Sequence, residues 1–243
     1  SQILNQAGEQ GINARQLADM LKGGFNTGEK PEFPAEAPGP KPASANVFTD
    51  GGFKNPTKHM WQLGGIGIWV PSQGDEGCIV EGFETEFAHG EKQEDGTSLW
   101  AKLRGSRASS SRAELAALVV ALTIPKTLKI ASDSRAVVDK FARLGETAKR
   151  WHEHVDPNWW TRRAPLGRPW GLQSDGDLWR VAWEAILTRG YDRATTVWVK
   201  GHATWDQTRD GTTDARSKIA NDKADDCATK GVGDHGNVMH AVM

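Results

Sequence analysis

The sequence predicts an α/β fold in which a five-stranded mixed sheet is flanked by helices on both faces. Two observations lead to this prediction: short apolar runs follow one another closely from residue 46, and helical patterns then alternate with strand patterns. Strands with short connections pair antiparallel, whereas strands joined through a helix pair parallel. Both kinds of pairing are therefore expected in one sheet.

Three strands are expected in the first half of the chain. They are the runs NVFTD (46–50), GGIGIWVP (64–71) and CIVEGFETEF (78–87), each bounded by Gly or Pro. A polar insertion at 89–98 follows, and we interpret the run at 98–106 as the end of the third strand or as a further strand. These runs predict an antiparallel meander.

Helices and strands alternate in the second half of the chain, where apolar residues recur at helical spacing between short β-type runs. The expected elements are a helix from the serines at 109–111 to Pro125, a strand at 127–133, a helix at 135–145 closed by Gly145, a helix at 177–190, a strand at 195–201 and a helix at 218–231.

The composition changes at both ends of this region. Residues 1–45 are rich in Gly and Pro and lack an apolar period, which predicts a flexible leader. We expect one domain over 46–231 and a tail over 232–243. The 30 basic residues nearly balance the 31 acidic ones, so nucleic-acid binding would need a local basic patch.

Long apolar runs and a secretory signal pattern are both missing from the sequence. We therefore expect no membrane partner and an intracellular protein, cytoplasmic or nuclear. The two cysteines, Cys78 and Cys227, lie far apart and have no His at metal-ligand spacing, which predicts free thiols.

Two acids follow strands that are expected to be parallel neighbours. Asp50 ends the first strand before a Gly-Gly pair that we interpret as a turn, and Asp133 ends the strand at 127–133. Each alone has a structural explanation, because Asp is common in turns and Asp133 with Ser134 could cap the next helix. Together they would lie side by side at the edge where α/β folds bind ligands.

Adjacent carboxylates repel each other unless a cation lies between them. Hard oxygen ligands favour Mg²⁺ or Mn²⁺ over zinc. The pair Asp50 and Asp133 therefore predicts a divalent-metal site.

Five segments of the chain resemble, in the right order, the motif blocks of type 1 (bacterial-type) ribonucleases H. The segments are FTDGG (48–52), SSSRAELAALVVAL (109–122), IASDSRAVV (130–138), WVKGHA (198–203) and ANDKADDCA (220–228). The resemblance covers about 46–231 and implies a ribonuclease H-like fold. It also implies an endonuclease that hydrolyses the RNA strand of RNA–DNA hybrids.

The resemblance implies a catalytic acid in each of four blocks, namely Asp50, Glu114, Asp133 and Asp225. Asp225 is preferred because the family pattern N-x-x-x-D-x-x-A aligns Asn221, Asp225 and Ala228; Asp222 is the alternative. These acids would hold two Mg²⁺ ions, for which Mn²⁺ could substitute, with Asp50 bridging both. His202 resembles the family's mobile loop histidine, which would transfer protons or assist product release.

Substrate contacts are expected from polar residues near these blocks. The residues that match family positions or lie beside them are Asn55, Ser109, Ser110, Ser111, Arg112, Arg135 and Asn221. The serines stand where many bacterial members carry paired Asn. A stretch at 149–176, rich in Arg and Trp, corresponds to the family's basic handle, and we expect its Arg162, Arg163 and Arg168 to contact phosphates.

Several interpretations remain open at this point. Other polynucleotidyl transferases share the fold, and a non-catalytic hybrid-binding domain is an alternative of a different class. The Pro-rich leader and the start at Ser1 are also compatible with the ribonuclease H part of a retroelement polyprotein that follows a reverse transcriptase. We expect a monomer, and we assign no role to the long loop after His202.

Overall fold

The computed structural model describes residues 32–35, 39–54, 62–72, 87–103, 108–153 and 165–235. The strands are β1 (Val47–Lys54), β2 (Leu63–Pro71), β3 (His89–Gln93), β4 (Gly96–Leu103), β5 (Leu128–Ser132) and β6 (Ala194–Trp198). The helices are α1 (Ser110–Ala121), α2 (Arg135–Glu153), α3 (Gly176–Arg189), α4 (Trp205–Arg209) and α5 (Ala215–Gly233).

The described strands form one mixed sheet in the order β3-β4-β2-β1-β5-β6. Strands β1 to β4 pair antiparallel, whereas β1, β5 and β6 run parallel to one another. The predicted α/β class and mixed pairing are confirmed, but the predicted strand number was wrong because the sheet has six strands. The additional strand comes from the polar insertion, where β3 and β4 form a hairpin.

The predicted strand at 78–87 falls outside the described residues except for Phe87, which is buried. The described part of the run at 98–106, residues 98–103, belongs to β4, which begins at Gly96 and pairs with β2 along its whole length. In the described residues, β4 is thus the neighbour of β2 that we had expected the earlier run to provide.

Helices cover both faces of the sheet, as predicted. A Cβ atom added to Gly51 would lie 2.3 Å from the amide nitrogen of Glu114 in α1, and one added to Gly52 would lie 2.9 Å from the carbonyl oxygen of Ala228 in α5. Successive residues of a strand point to opposite faces, so α1 and α5 lie on opposite sides of β1.

Each face has its own apolar core. Val47 and Ile66 pack with the buried residues of α1, α2 and α3 in the larger cluster. Phe48 and Trp69 pack with Ala224 of α5 in the smaller one. The alternation along β1 and β2 thus divides the core between the two helical layers.

The Gly-Gly pair after Asp50 does not form the predicted turn. Strand β1 continues through both glycines to Lys54, and Gly51 and Gly52 pair with Ile66 and Gly65 of β2. The glycines are needed because α1 and α5 come so close to the strand that side chains at these positions would collide with helix backbone.

Helix α2 is longer than predicted. It continues past Gly145 to Glu153, so Gly145 does not end it. Helix α5 also extends beyond its predicted bounds, from the N-cap Asp214 to Gly233. The long loop after His202 contains the short helix α4, which begins with a capping box formed by Thr204 and Gln207.

Helix α1 is anchored at its C-terminal end by Arg189 of α3. This side chain is 2% exposed, and its Nη1 donates hydrogen bonds to the carbonyl oxygens of Leu122 at 2.7 Å and Ile124 at 2.9 Å. A guanidinium placed there satisfies carbonyls that the end of a helix leaves without partners.

Part of the predicted leader contacts the domain. The Gly39 and Ala43 carbonyl oxygens accept hydrogen bonds from the Thr127 and Lys129 side chains at 3.0 and 2.7 Å. The division into leader, domain and tail stays a prediction. Among the described residues, no helix has the length and apolar character needed to cross a membrane.

The glycine contacts predict opposite effects of one substitution at two positions. Gly51→Ala should lower the free energy of unfolding by about 2–3 kcal/mol, because the methyl group must displace α1. Gly145→Ala should raise it by about 0.5–1 kcal/mol, because Gly145 lies inside a helix and its Cβ would meet nothing closer than 3.9 Å. Urea denaturation measures both. A Gly51→Ala protein as stable as the wild type would contradict the close approach of α1.

Candidate metal centre

Asp50 and Asp133 lie next to each other at the edge of the sheet. The last residues paired between β1 and β5 are Thr49 and Ser132. Asp50 and Asp133 are the residues that directly follow them in the chain. Parallel strands in register carry such residues side by side. The structure therefore brings together the two acids that the sequence analysis placed at neighbouring strand ends.

Glu114 reaches the same place from α1. Its helix begins after the N-cap Ser109, whose hydroxyl accepts a hydrogen bond from the Arg112 amide at 3.0 Å. One carboxylate oxygen from each of Asp50, Glu114 and Asp133 lies within 4.8 Å of the other two. This distance is short enough for the three groups to share cations.

Asp225 completes the group from the other face of the sheet. Its carboxyl group is close enough to that of Asp50 to raise the pKa of Asp50 through its charge and through a hydrogen bond. Asp222, the alternative position, instead forms an ion pair with Lys218. Of the two acids, Asp225 is the one that lies close to Asp50 and Asp133.

Burial makes the charged forms of these acids unfavourable. It is the largest cause that raises the pKa of Asp50 to about 7, and the charges of Asp133 and Asp225 add to it. Burial likewise raises the pKa of Glu114 to about 9, with further contributions from Asp50 and Asp133. Burial raises the pKa of Asp133, and the charge of the nearby His202 offsets only part of that rise.

These features fit a bound divalent cation. The Oε2 atom of Glu114 is buried and has no hydrogen-bond partner, and such an atom is costly unless a positive group faces it. Carboxylate oxygens are the ligands preferred by Mg²⁺ and Mn²⁺. Asp50, Glu114 and Asp133 would hold the cation, and Asp225, which lies beside Asp50, would add a further oxygen ligand.

His202 lies on the loop next to this cluster. Its Nδ1 is 3.9 Å from Oδ2 of Asp225, and its side chain is 82% exposed. The residue has a φ of 46°, which is uncommon outside glycine. An exposed imidazole between acids and solvent can exchange protons with both.

The sequence analysis did not single out Gly201, which the loop requires. A Cβ atom there would lie 2.0 Å from Oδ2 of Asp133. Only glycine lets the loop pass so close to this carboxylate. Its position directly before His202 was the one available signal, and a glycine in a loop is too common to reveal such a contact.

The predicted substrate contacts are placed less uniformly. Ser110 and Ser111 are exposed at the start of α1, Arg135 at the start of α2 and Arg168 before α3. Asn221 is buried on α5, and its Oδ1 has no hydrogen-bond partner. Asn55, Arg162 and Arg163 lie outside the described residues.

Arg112 points into the protein rather than toward solvent. Its Nη1 lies 3.1 Å from Oδ1 of Asp175 and 2.9 Å from Oδ1 of Asp177, and its Nη2 lies 2.6 Å from Oδ2 of Asp177. These bonds use the guanidinium to connect the first turn of α1 with the start of α3. The placement favours a structural role over the predicted substrate contact.

Comparison with known proteins gave matches among solved structures alone. No protein-family model and no curated protein matches the chain. One similar solved structure is LC9-RNase H1, described as "a type 1 RNase H with the type 2 active-site motif". It is 15% identical, has a TM-score of 0.44, and the match covers 78% of this chain and 72% of that one.

Another is the PFV RNase H domain, which is 19% identical with a TM-score of 0.44, over 76% of this chain and 92% of that one. Both neighbours are ribonucleases H. The fold class follows from the observed mixed sheet, and the case for a metal-dependent activity rests on the acidic cluster.

The raised pKa values predict how pH affects the metal-free protein. Its folded state favours protonated Asp50 and Glu114, so its stability should fall as pH rises from about 4 through the folded pKa values of about 7 and 9. Mg²⁺ should restore stability increasingly over the same window, because binding releases those protons. Thermal unfolding in EDTA and in MgCl₂ between pH 5 and 9 measures this.

Two variants control that experiment. Asp50→Asn should stabilise the metal-free protein at high pH and remove most of the effect of Mg²⁺. Asp222→Asn should keep the wild-type response, because Asp222 pairs with Lys218. An equal response to Mg²⁺ in wild type and Asp50→Asn would rule out this metal centre.

Arg112 also yields a stability prediction. Arg112→Ala should lower the free energy of unfolding by about 2–3 kcal/mol, because it leaves Asp175, whose side chain is only 17% exposed, without its partner. Arg135→Ala should change it by less than about 1 kcal/mol, since the Arg135–Asp139 pair is more than 60% exposed on both sides. Chemical denaturation separates the two, and equal losses would show that the Arg112 bonds contribute little.

Proposed function

We propose that this chain is a divalent-metal-dependent endonuclease of the ribonuclease H type that hydrolyses the RNA strand of RNA–DNA hybrids. The observation that carries the proposal is the cluster of Asp50, Glu114 and Asp133 with oxygens within 4.8 Å of one another. Asp225 beside Asp50 supplies the fourth acid of the motif set.

The arrangement of the acids supports phosphodiester chemistry. Carboxylate oxygens of Asp50, Glu114 and Asp133 lie close together at the sheet edge, and Asp225 lies beside Asp50. We propose that a phosphate group approaches them there from solvent. Two bound Mg²⁺ ions, or Mn²⁺ in their place, would activate water and stabilise the leaving oxygen. The chain itself would hold four carboxylates in a partly buried place, where a bound cation would neutralise their negative charges.

His202 is proposed to transfer protons. Its imidazole is exposed, while Asp133 and Asp225 lie close enough to interact with its charge. An imidazole in this position can take up a proton and donate it to a leaving oxygen. The exposed side chain can move between the site and solvent without displacing packed residues.

Substrate recognition is proposed to involve exposed residues at the starts of α1 and α2. The exposed Ser110 and Ser111 lie four and three residues before Glu114 on α1, and hydroxyls can donate to and accept from RNA 2′-hydroxyls. Arg135, which is exposed two residues after Asp133, is suited to a phosphate contact. The stretch at 149–176 remains our proposed basic handle.

The remaining expectations from the resemblance stand as proposals. They are the division into a leader at 1–45, a domain at 46–231 and a tail at 232–243, an intracellular location, monomeric action and the polyprotein context after a reverse transcriptase. The alternative of a non-catalytic hybrid-binding module is an outcome of the assay below.

The proposal predicts cleavage of a labelled RNA–DNA hybrid in Mg²⁺ or Mn²⁺, none in EDTA, and no cleavage of the matched DNA duplex. Asp50→Asn should reduce the rate by about a thousandfold or more, because Asp50 lies close to each of the other three acids. Asp226→Asn is the matched control, since Asp226 is exposed one residue after Asp225, and it should retain activity.

Three outcomes would overturn the proposal. Hybrid binding without cleavage in either metal would indicate the non-catalytic module. Equal rates in wild type and Asp50→Asn would place the active site elsewhere. Cleavage of the DNA duplex as fast as the hybrid would indicate a different nuclease.

A further inference from the structure

Trp198, the last residue of β6, contacts the main chain of a proposed metal ligand. Its indole Nε1–H donates a hydrogen bond to the carbonyl oxygen of Asp133, with a distance of 3.0 Å between Nε1 and the oxygen. The side chain is 41% exposed. An exposed tryptophan usually has no fixed partner, so this bond requires an explanation.

The bond extends the pairing of β5 and β6 by one residue. The ladder ends at Ser132 and Trp198, and the Val199 amide donates to the Ser132 carbonyl oxygen at 3.1 Å. The next carbonyl along β5 is that of Asp133, which the Trp198 indole takes over. Two successive carbonyls are thus held from β6, the second by a side chain.

The side chain of Asp133 is confined at the same time. Gly201 passes so close that a Cβ atom there would lie 2.0 Å from Oδ2. With its carbonyl held by Trp198 and its carboxylate bounded by Gly201, Asp133 has little freedom to turn away from Asp50 and Glu114.

The Arg135 guanidinium lies over the Trp198 indole. Its guanidinium carbon lies 5.2 Å from the centroid of the Trp198 ring, which is within the range of a cation–π contact. Arg135 also pairs with Asp139 at 3.5 Å. This contact favours one orientation of the exposed indole, the one in which the N–H points at Asp133.

We propose that Trp198 is a positioning residue that orients Asp133 for metal binding through its indole N–H. The inference rests on the proposed function only in taking Asp133 as a metal ligand. Partners that orient ligands affect metal affinity without touching the metal. Phenylalanine at 198 would keep an aromatic ring beside Arg135 and remove only the donor.

The test compares Trp198→Phe with Trp205→Phe. Trp205 is a matched control because it is 55% exposed and has the Lys218 ammonium 5.1 Å from its ring. Isothermal titration with Mg²⁺ should show a Kd raised about threefold to tenfold in Trp198→Phe, the size expected for one lost hydrogen bond. Trp205→Phe should match the wild type.

Two further readouts separate positioning from other roles. In ¹H–¹⁵N spectra, the indole resonance that Trp198→Phe removes should shift during Mg²⁺ titration with the wild-type Kd. With hybrid substrate, Trp198→Phe should lower kcat at limiting Mg²⁺ and recover at saturating Mg²⁺, with KM for the hybrid unchanged.

The inference fails if Trp198→Phe and Trp205→Phe bind Mg²⁺ equally well. It also fails if KM for the hybrid rises while Mg²⁺ affinity stays unchanged, since Trp198 would then contact nucleic acid. Should Trp198→Phe unfold, benzothienylalanine at 198 keeps the indole shape without the N–H and gives the same test. A wild type that binds Mg²⁺ but leaves the hybrid intact refutes the proposed function without affecting the affinity comparison.

Discussion

The close approach of two helices to the glycines of β1 and β2 is the constraint on which the site depends. Gly51 admits α1, and Gly52, Gly65 and Gly67 admit α5, each at a distance where a Cβ atom would collide with helix backbone. Because α1 and α5 lie on opposite faces of β1, they bring Glu114 and Asp225 to the same carboxylate, that of Asp50. A larger side chain at any of these glycines would move a helix and with it an acid.

The same approach produces the electrostatic problem that defines the site. Burial and mutual repulsion raise the pKa of Asp50 to about 7 and that of Glu114 to about 9. In the absence of a cation, the ionised forms of Asp50 and Glu114 therefore lower the stability of the folded state. The two apolar cores and the hydrogen bonds that anchor α1 offset this loss. Arg112 holds the N-terminal end of α1 and Arg189 holds its C-terminal end. The helix is therefore fixed against the repulsion between Glu114 and the neighbouring acids.

The sequence predicted the features that depend on neighbouring residues in the chain. The mixed pairing and the proximity of Asp50 and Asp133 follow from strand and helix order. The prediction of a turn at Gly51 and Gly52 was wrong because a Gly-Gly pair is common in turns. These glycines are instead required by helices whose contacting residues lie more than sixty positions away in the chain. The hairpin strand β3 was missed because an edge strand that is exposed on both sides has no apolar alternation. The inward position of Arg112 depends on Asp175 and Asp177, which local pattern does not reveal.

The four acids also differ in how firmly the fold holds them. Asp50 pairs with Gly67 of β2 and directly follows Thr49, the last residue of β1 paired with β5. Glu114 follows Arg112 by two residues, and the Asp133 carbonyl oxygen accepts a hydrogen bond from Trp198. Asp225 has a side chain 42% exposed, and its neighbour His202 is 82% exposed. If the acids bind cations as proposed, rearrangement during turnover would concentrate at the Asp225 and His202 side chains, because these two are the more exposed to solvent, whereas moving Asp50 or Glu114 would disrupt the sheet and α1.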